Sequence, residues 1–141
     1  MTDRAHVFYA LEPALDVAEF RRVLMESGLG AIRPVDDPPR LQRMLSACDL
    51  VVTARLAQPD GPLVGVARGL TDFSWCCYLS DLAVSPSAQG LGIGKGLLDE
   101  ARRQIGPEAS LFLNSIPDAA SFYERIGMER QADSFFFRRE H

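Results

Sequence analysis

Apolar residues recur at helical spacing in four separate parts of the chain. These stripes run over residues 17–24, 41–48, 93–105 and 119–126. In each one, apolar side chains three or four positions apart would form a single face of a helix. Asp16 and Asp37 stand at N-cap positions before the first two stripes, and Gly28 and Gly127 follow the first and the last as helix stops. The pattern therefore predicts four amphipathic helices.

Runs typical of β-strands occupy most of the remaining chain. They cover residues 5–11, 50–56, 63–69, 76–84, 111–114 and 130–139. The turn sequence at residues 59–62, Pro-Asp-Gly-Pro, predicts a hairpin between the second and third runs. The fourth run would extend this hairpin into an antiparallel meander, and the strand, helix and strand that follow predict a parallel crossover. The element order predicts a mixed α+β fold.

Composition is typical of one globular domain, which we expect to span residues 1–141. The chain is 47% hydrophobic and 24% charged. Its 15 basic and 19 acidic residues give a net charge of −4, which argues against a nucleic-acid partner. No apolar stretch reaches the length of a spanning helix, and no signal-like segment begins the chain. We therefore expect a cytoplasmic protein without a membrane partner.

The cysteines and histidines predict neither disulfides nor a metal site. Cys48, Cys76 and Cys77 are odd in number and two are adjacent, which does not suit a disulfide framework. His6 and His141 lie at opposite ends of the chain, and no Cys-x-x-Cys pattern occurs. The cysteines are interpreted as small buried apolar residues.

Glycines alternate along the stretch at residues 90–96, between a predicted strand and an apolar helix. Glycine lets the backbone approach a ligand, and successive amides at a helix N-terminus bind anions, usually phosphate. A loop that merely turns the chain is the alternative, which four alternating glycines make less favoured. A Walker A loop does not fit, because Lys95 is followed by Gly96. The dinucleotide pattern fails as well, because neither Lys95 nor Leu97 supplies its third glycine.

The remaining pattern, Gln-x-x-Gly-x-Gly at residues 89–94, resembles the pyrophosphate loop of the GNAT superfamily of acetyl-CoA-dependent N-acyltransferases. Residues 119–128 resemble the family's later motif, in which a helix carrying Tyr123 ends four residues on at Gly127. The resemblance is strong over about residues 50–128. It implies a mixed sheet of about six to seven strands with an antiparallel N-terminal meander, splayed parallel strands around a β-α-β crossover, and helices on both faces.

The resemblance implies acetyl-CoA as co-substrate and no metal. Its pantetheine arm would pair with the backbone of Leu82 and Val84, where strands 76–84 and 111–114 diverge, and its pyrophosphate would lie on the loop amides. The implied CoA-binding residues come from the first of these strands, the glycine loop and the later motif: Leu82, Ala83, Val84, Gln89, Gly90, Leu91, Gly92, Ile93, Gly94, Lys95, Gly96, Asn114, Ala119, Phe122 and Tyr123.

The implied reaction is direct attack on acetyl-CoA by a primary amine of an unidentified small molecule or peptide. The Leu82 amide is the candidate donor to the oxyanion. Tyr123 is the candidate general acid for the leaving thiolate, and a core-packing tyrosine is the alternative. Asp81 is the candidate base, although a structural carboxylate that bonds to the backbone is the slightly favoured alternative. Tyr78 occupies the position where some family members carry a glutamate base, and a water relay or a neutral amine would need no protein base.

The acceptor site of such proteins is formed by the first helices and the last hairpin. Candidate residues for it are acidic or aromatic: Glu26, Asp36, Asp37, Asp133, Trp75, Phe135 and Phe136. Acids would suit a cationic amine, although solvated surface charge is the more common explanation. A non-catalytic acyl-CoA-binding or sensor module of the same fold is the alternative function. The phenylalanine run at residues 135–137 is compatible with a homodimer strand.

Overall fold

A computed structural model describes residues 6–141, which form five strands and four α-helices. The strands are β1 (Val7–Leu11), β2 (Leu50–Leu56), β3 (Leu63–Thr71), β4 (Cys76–Val84) and β5 (Ser110–Phe112). The helices are α1 (Val17–Glu26), α2 (Pro38–Ala47), α3 (Ile93–Ile105) and α4 (Ala120–Arg125). Short 3₁₀ turns lie at Leu29–Ile32, Pro86–Ala88 and Pro117–Ala119. The four predicted helices are confirmed, and Asp118 lies within the 3₁₀ turn that precedes α4.

The strands form one mixed sheet in the order β1-β2-β3-β4-β5. The strands β1 to β4 pair with one another in antiparallel fashion, and β5 pairs with β4 in parallel. The α+β class, the antiparallel meander and the parallel crossover are therefore confirmed. The sheet has five strands rather than the expected six to seven. Ala5, at the start of the first predicted strand, lies outside the described residues.

The helices cover both faces of the sheet, as expected, and each face has its own apolar core. On one face, α3 contributes its buried stripe of Ile93, Leu97, Leu98, Ala101 and Ile105. On the other, α1 and α2 contribute Phe20, Val23, Leu24, Leu41 and Leu45. The side chains of Asp16 and Asp37 accept the backbone N–H of Glu19 and Arg40, so both N-caps are confirmed.

The predicted strand at residues 130–139 is wrong, because this segment has no regular secondary structure. Phe135, Phe136 and Phe137 are 93%, 67% and 101% exposed. Consecutive apolar residues point alternately to the two faces of a strand, so this run cannot give a strand one apolar face. The neighbouring edge strand β5 also offers only three residues for pairing.

A bulge at Ser80 changes which side chains of β4 face each helical layer. The register shifts there, because Arg68 pairs with Asp81 whereas Gly69 pairs with Leu79. Before the bulge, Leu79 packs in the α3 core, and beyond it Ala83 packs in the opposite core. A bulge re-aims the side chains that follow it. Leu82 consequently lies on the α3 side of the sheet, together with the site described below.

Gly96 has a packing role inside α3. A Cβ atom at this position would lie 2.1 Å from the Tyr9 hydroxyl oxygen and 2.3 Å from the ring carbon that bears it. Glycine is therefore the residue that lets the β1 tyrosine lie against the helix backbone, although it costs helix propensity. Within residues 6–141, no helix is long and apolar enough to cross a membrane.

Candidate active site

The parallel strands β4 and β5 separate after a short region of pairing. Only Cys76, Cys77 and Tyr78 of the nine-residue β4 have partners in β5. The rest of β4 continues toward the glycine loop without a neighbouring strand on this side. A wedge-shaped opening with an unpaired strand edge results. The predicted splaying of these two strands is confirmed.

The backbone groups of Leu82 and Val84 point into this opening. Ser85 donates its backbone N–H to the Val64 carbonyl at 2.8 Å, and Val84 lies opposite Gly65 in the adjacent pair. Hydrogen-bonded and non-hydrogen-bonded pairs alternate along an antiparallel ladder. Leu82 and Val84 therefore occupy non-hydrogen-bonded positions, with N–H and C=O directed away from β3. Such backbone groups favour a ligand that pairs with them as a strand would.

The glycine loop leads into α3 without a side-chain cap. Gly92 is the N-cap residue, with a φ of 71°, and no side chain bonds to the first amides of the helix. The first turn carries no acidic residue, so nothing in it neutralises the positive end of the helix dipole. A Cβ atom at Gly90 or Gly92 would point into open space. This arrangement suits an anion such as a pyrophosphate.

Helix α4 places two aromatic rings beside the loop. A Cβ atom at Gly94 would lie 3.0 Å from the Phe122 ring, so this glycine lets α4 pack closely on the start of α3. The rings of Phe122 and Tyr123 meet edge to face, with centroids 5.1 Å apart. The Tyr123 hydroxyl has no hydrogen-bond partner among the protein groups of the described chain. Burial raises the pKa of Tyr123 above its ordinary value of 10.0, which keeps the hydroxyl protonated at neutral pH.

One cleft of about 1140 Å³ joins these features. Most of the predicted site residues line it: Leu82, Val84, Gln89, Gly90, Gly92, Ile93, Gly94, Lys95, Asn114, Ala119, Phe122 and Tyr123. Asp81, Ala83, Leu91 and Gly96 do not line the cleft. The Ala83 side chain is buried in the α1–α2 core, and Gly96 faces Tyr9.

Asp81 lies in a buried ion-pair network behind the cleft wall. Its side chain is fully buried, and its two oxygens accept hydrogen bonds from Nε of Arg33 at 2.6 Å and Nε of Arg68 at 2.5 Å. The same two guanidinium groups also donate to Ser80, at its carbonyl and its hydroxyl. Two guanidinium groups thus engage both carboxylate oxygens, the atoms with which a base would accept a proton. The geometry favours the structural alternative for Asp81, and its role as a base stays a prediction.

The acids considered for the acceptor site lie elsewhere. Glu26 accepts hydrogen bonds from Ser85 and Arg22, and the Ser85 hydroxyl is the main cause that lowers the Glu26 pKa. Asp37 caps α2. Neither of these nor Asp36 or Asp133 lines the cleft, and of the aromatic candidates only Phe136 does.

Cationic side chains that the sequence interpretation missed take the place of those acids. The cleft is lined by Arg33, Arg40, Arg68, Arg125 and Arg139, and Lys95 adds a sixth positive charge. No Asp or Glu of the described residues is in its lining. The arginines come from five separate segments, so no local motif could have indicated the cluster. Across residues 6–141, no group of three or more His, Cys, Asp or Glu side chains is placed to hold a metal ion.

Comparisons with known proteins agree with this geometry. The family model described as an acetyltransferase (GNAT) domain matches residues 40–139. The chain is 32% identical over 76 residues to an uncharacterized N-acetyltransferase, ycf52, of Pyropia yezoensis, covering 52% of this chain and 44% of that protein. It is 34% identical over 77 residues to the chloroplastic GCN5-related N-acetyltransferase 2 of Arabidopsis thaliana, covering 51% of this chain and 29% of that protein. The chain thus spans less than half the length of these curated relatives.

Solved structures resemble the whole domain. A crystal structure assigned as an acetyltransferase from Deinococcus radiodurans R1 is 27% identical, with a TM-score of 0.74 over 96% of this chain and 90% of that one. The aminoglycoside N-acetyltransferase AAC(6')-Iy, solved in complex with CoA, shares the fold at 16% identity, with a TM-score of 0.68 over 96% of both chains.

Proposed function

Because the chain belongs to the GNAT acetyltransferase family, we propose that it transfers an acetyl group from acetyl-CoA to a primary amine by direct attack in a ternary complex. The observation that carries this proposal is the union of three features in one cleft: the splayed edge of β4, the uncapped glycine loop and the Tyr123 hydroxyl. Each feature meets a separate need of acyl transfer from a long, anionic thioester. A binding module would need the first two features and not the third.

The residues present fit acetyl-CoA, which supplies an acyl thioester when bound. The backbone of Leu82 and Val84 offers the unpaired strand edge along which an amide-containing arm can pair. The open space around Gly90 and Gly92 leaves room for a phosphate group against the first amides of α3. The Lys95 side chain is 59% exposed, pairs among the described residues with the similarly exposed Asp99, and is available as a further cation.

Two protein groups serve the reacting atoms in this proposal. The Leu82 N–H is a hydrogen-bond donor toward the carbonyl oxygen, on which negative charge grows during attack. The Tyr123 hydroxyl donates a proton or a hydrogen bond to the sulfur that leaves. No Asp or Glu side chain of the described residues lines the cleft. We therefore propose that the amine arrives neutral or loses its proton to water, with Asp81 holding the wall in place.

A thiol-release assay with acetyl-CoA tests the proposed function. Incubation with a panel of primary amines should release free CoA thiol with at least one of them, and mass spectrometry should show the amine heavier by one acetyl group. Omission of the amine is the control and should reduce release to the background of hydrolysis. CoA binding without release in the presence of any amine would instead establish the non-catalytic acyl-CoA-binding module.

Replacement of Gly92 by Asn is expected to weaken CoA binding about tenfold or more, an estimate equivalent to ~1.4 kcal/mol or more. The new side chain would enter the open space in front of the first amides of α3. Asparagine tolerates the left-handed backbone conformation at Gly92, where φ is 71°, so the fold should persist. Calorimetric titration with CoA measures the change.

Gly28→Asn is the matched control for this prediction. Gly28 follows α1, has the same left-handed conformation with a φ of 88°, and also faces open space, but it does not line the cleft. Both variants should therefore lose similar stability, while only Gly92→Asn loses affinity for CoA. Equal CoA affinity in the two folded variants would place the pyrophosphate away from this loop.

A further inference from the structure

The lining of the cleft is unusually cationic for a chain with a net charge of −4. Besides Arg125 of α4, four of its lining residues are arginines: Arg33, Arg40, Arg68 and Arg139. They come from the segment after α1, from α2, from β3 and from the C-terminal segment. The carboxylate of Asp81 binds Arg33 and Arg68 and compensates only part of this charge.

Two of these arginines are fully engaged within the protein. Arg33 and Arg68 share Asp81, and both also bind Ser80. Three charged groups in one network leave an excess of one positive charge beside the cleft. This network holds the Arg33 and Arg68 side chains in place beside the cleft. Their guanidinium groups have few hydrogen-bond donors left for a ligand.

The other two arginines have donors available. Arg40 uses one terminal nitrogen, Nη2, to donate to the main-chain oxygen of His141 at 3.1 Å, and this contact holds the C-terminal segment against α2. Arg139, two residues earlier in that segment, has no Asp or Glu partner among residues 6–141, and neither does Arg40. Both arginines line the cleft and bring two guanidinium groups without an acidic side-chain partner to it.

We infer that the acceptor amine carries a carboxylate, which Arg40 and Arg139 bind while its amino group faces the β4 edge. This inference rests on the proposed acetyltransferase function and names its substrate class. A guanidinium group presents paired donors that match the two oxygens of a carboxylate. A polyamine would meet positively charged side chains in the cleft, without an acidic side chain in the lining of the described chain to receive it. A free amino acid or a short peptide with a free carboxylate has the required chemistry.

Paired acceptors that differ only in the carboxylate test the inference. Each of the twenty L-amino acids is compared with its C-terminal amide in the thiol-release assay, and spermidine serves as the cationic probe. Loss of charge-assisted hydrogen bonds typically costs ~10- to 100-fold in affinity. We expect kcat/KM for the preferred amino acid to exceed that for its amide by about this factor, with spermidine poorer still.

Variants of Arg40 and Arg139 then test whether these two residues cause the preference for a carboxylate. Arg40→Gln and Arg139→Gln should each bring the ratio of acid to amide toward one. Arg43→Gln is the matched control, because Arg43 lies on the exposed side of the same helix, outside the cleft, and its variant should keep the wild-type ratio. The Arg139 side chain is exposed, so its replacement tests recognition with little effect on folding.

The outcomes separate this inference from the proposed function. Release of thiol with amides or spermidine at least as fast as with carboxylates would overturn the inference and leave the acetyltransferase function standing. An acid-to-amide ratio that survives in both Arg40→Gln and Arg139→Gln would also overturn it. No release with any amine in the panel would overturn both, because the inference depends on transfer.

Discussion

Tyr123→Phe is expected to lower kcat by roughly 10²–10⁴-fold, the usual contribution of a positioned general acid. The affinity for acetyl-CoA should change little, because the hydroxyl serves a charge that develops only as the C–S bond breaks. The phenyl ring would keep its edge-to-face contact with Phe122, so the fold should be maintained. Steady-state kinetics and a melting temperature on the same preparation measure both quantities.

Tyr9→Phe is the matched control for this variant. Tyr9 is another half-buried tyrosine whose pKa is raised by burial, but it packs between β1 and α3, away from the cleft. Its replacement should leave kcat unchanged. Because burial holds the Tyr123 pKa above 10.0, the ratio of wild-type to Tyr123→Phe kcat should stay constant between about pH 7 and 9. Wild-type kcat in Tyr123→Phe would show that this tyrosine is a packing residue.

The elements with strong local signals were predictable from the sequence. Helix α3 has an apolar face at every expected position, and all five of its predicted stripe residues are buried. The N-caps and glycine stops depend on contacts within one turn, so Asp16 and Asp37 could be assigned without any tertiary information. The glycine loop is also local, because its chemistry comes from consecutive backbone amides rather than from distant side chains.

Features that depend on register were not predictable. The orientation of the Leu82 and Val84 backbone groups follows from the pairing with β3, which a single strand does not specify. The bulge at Ser80 reverses which face of the sheet the following β4 side chains point to. No glycine or proline at that position indicates the bulge in the sequence. The role of Gly96 similarly depends on Tyr9, which lies 87 positions earlier in the chain.

The charge of the cleft lining was the largest difference between expectation and structure. Acids near α1 and in the C-terminal segment suggested a negative site, but charge along a sequence does not indicate which side chains converge. Arg33 and Arg68 reach Asp81 across separations of 48 and 13 residues. Arg40 meets the C-terminal segment across 101 residues. Each arginine on its own is typical of a solvated surface, and only the fold places them around one cleft.

Asp81→Asn is expected to lower the free energy of unfolding by about 3–5 kcal/mol, the typical cost of removing one partner from a buried ion pair. The Asp81 side chain is fully buried, and the side chains of its partners Arg68 and Arg33 are only 7% and 20% exposed. Removal of the carboxylate charge would leave both guanidinium groups without compensation in a region of low solvent access. Urea denaturation followed by circular dichroism measures the change.

The control variant for this prediction is Glu124→Gln, which removes the carboxylate charge from the exposed pair that Glu124 forms with Arg130. Ion pairs on the surface contribute little to the free energy of unfolding, so the unfolding curve of Glu124→Gln should overlap that of the wild type. Addition of Arg33→Met to Asp81→Asn should recover part of the lost stability, because it removes one of the two uncompensated charges. At a temperature where Asp81→Asn is fully folded, its kcat should lie within a few-fold of wild type. A fall of 10²-fold or more in the folded variant, with a shifted pH profile and unchanged stability, would establish Asp81 as the catalytic base instead.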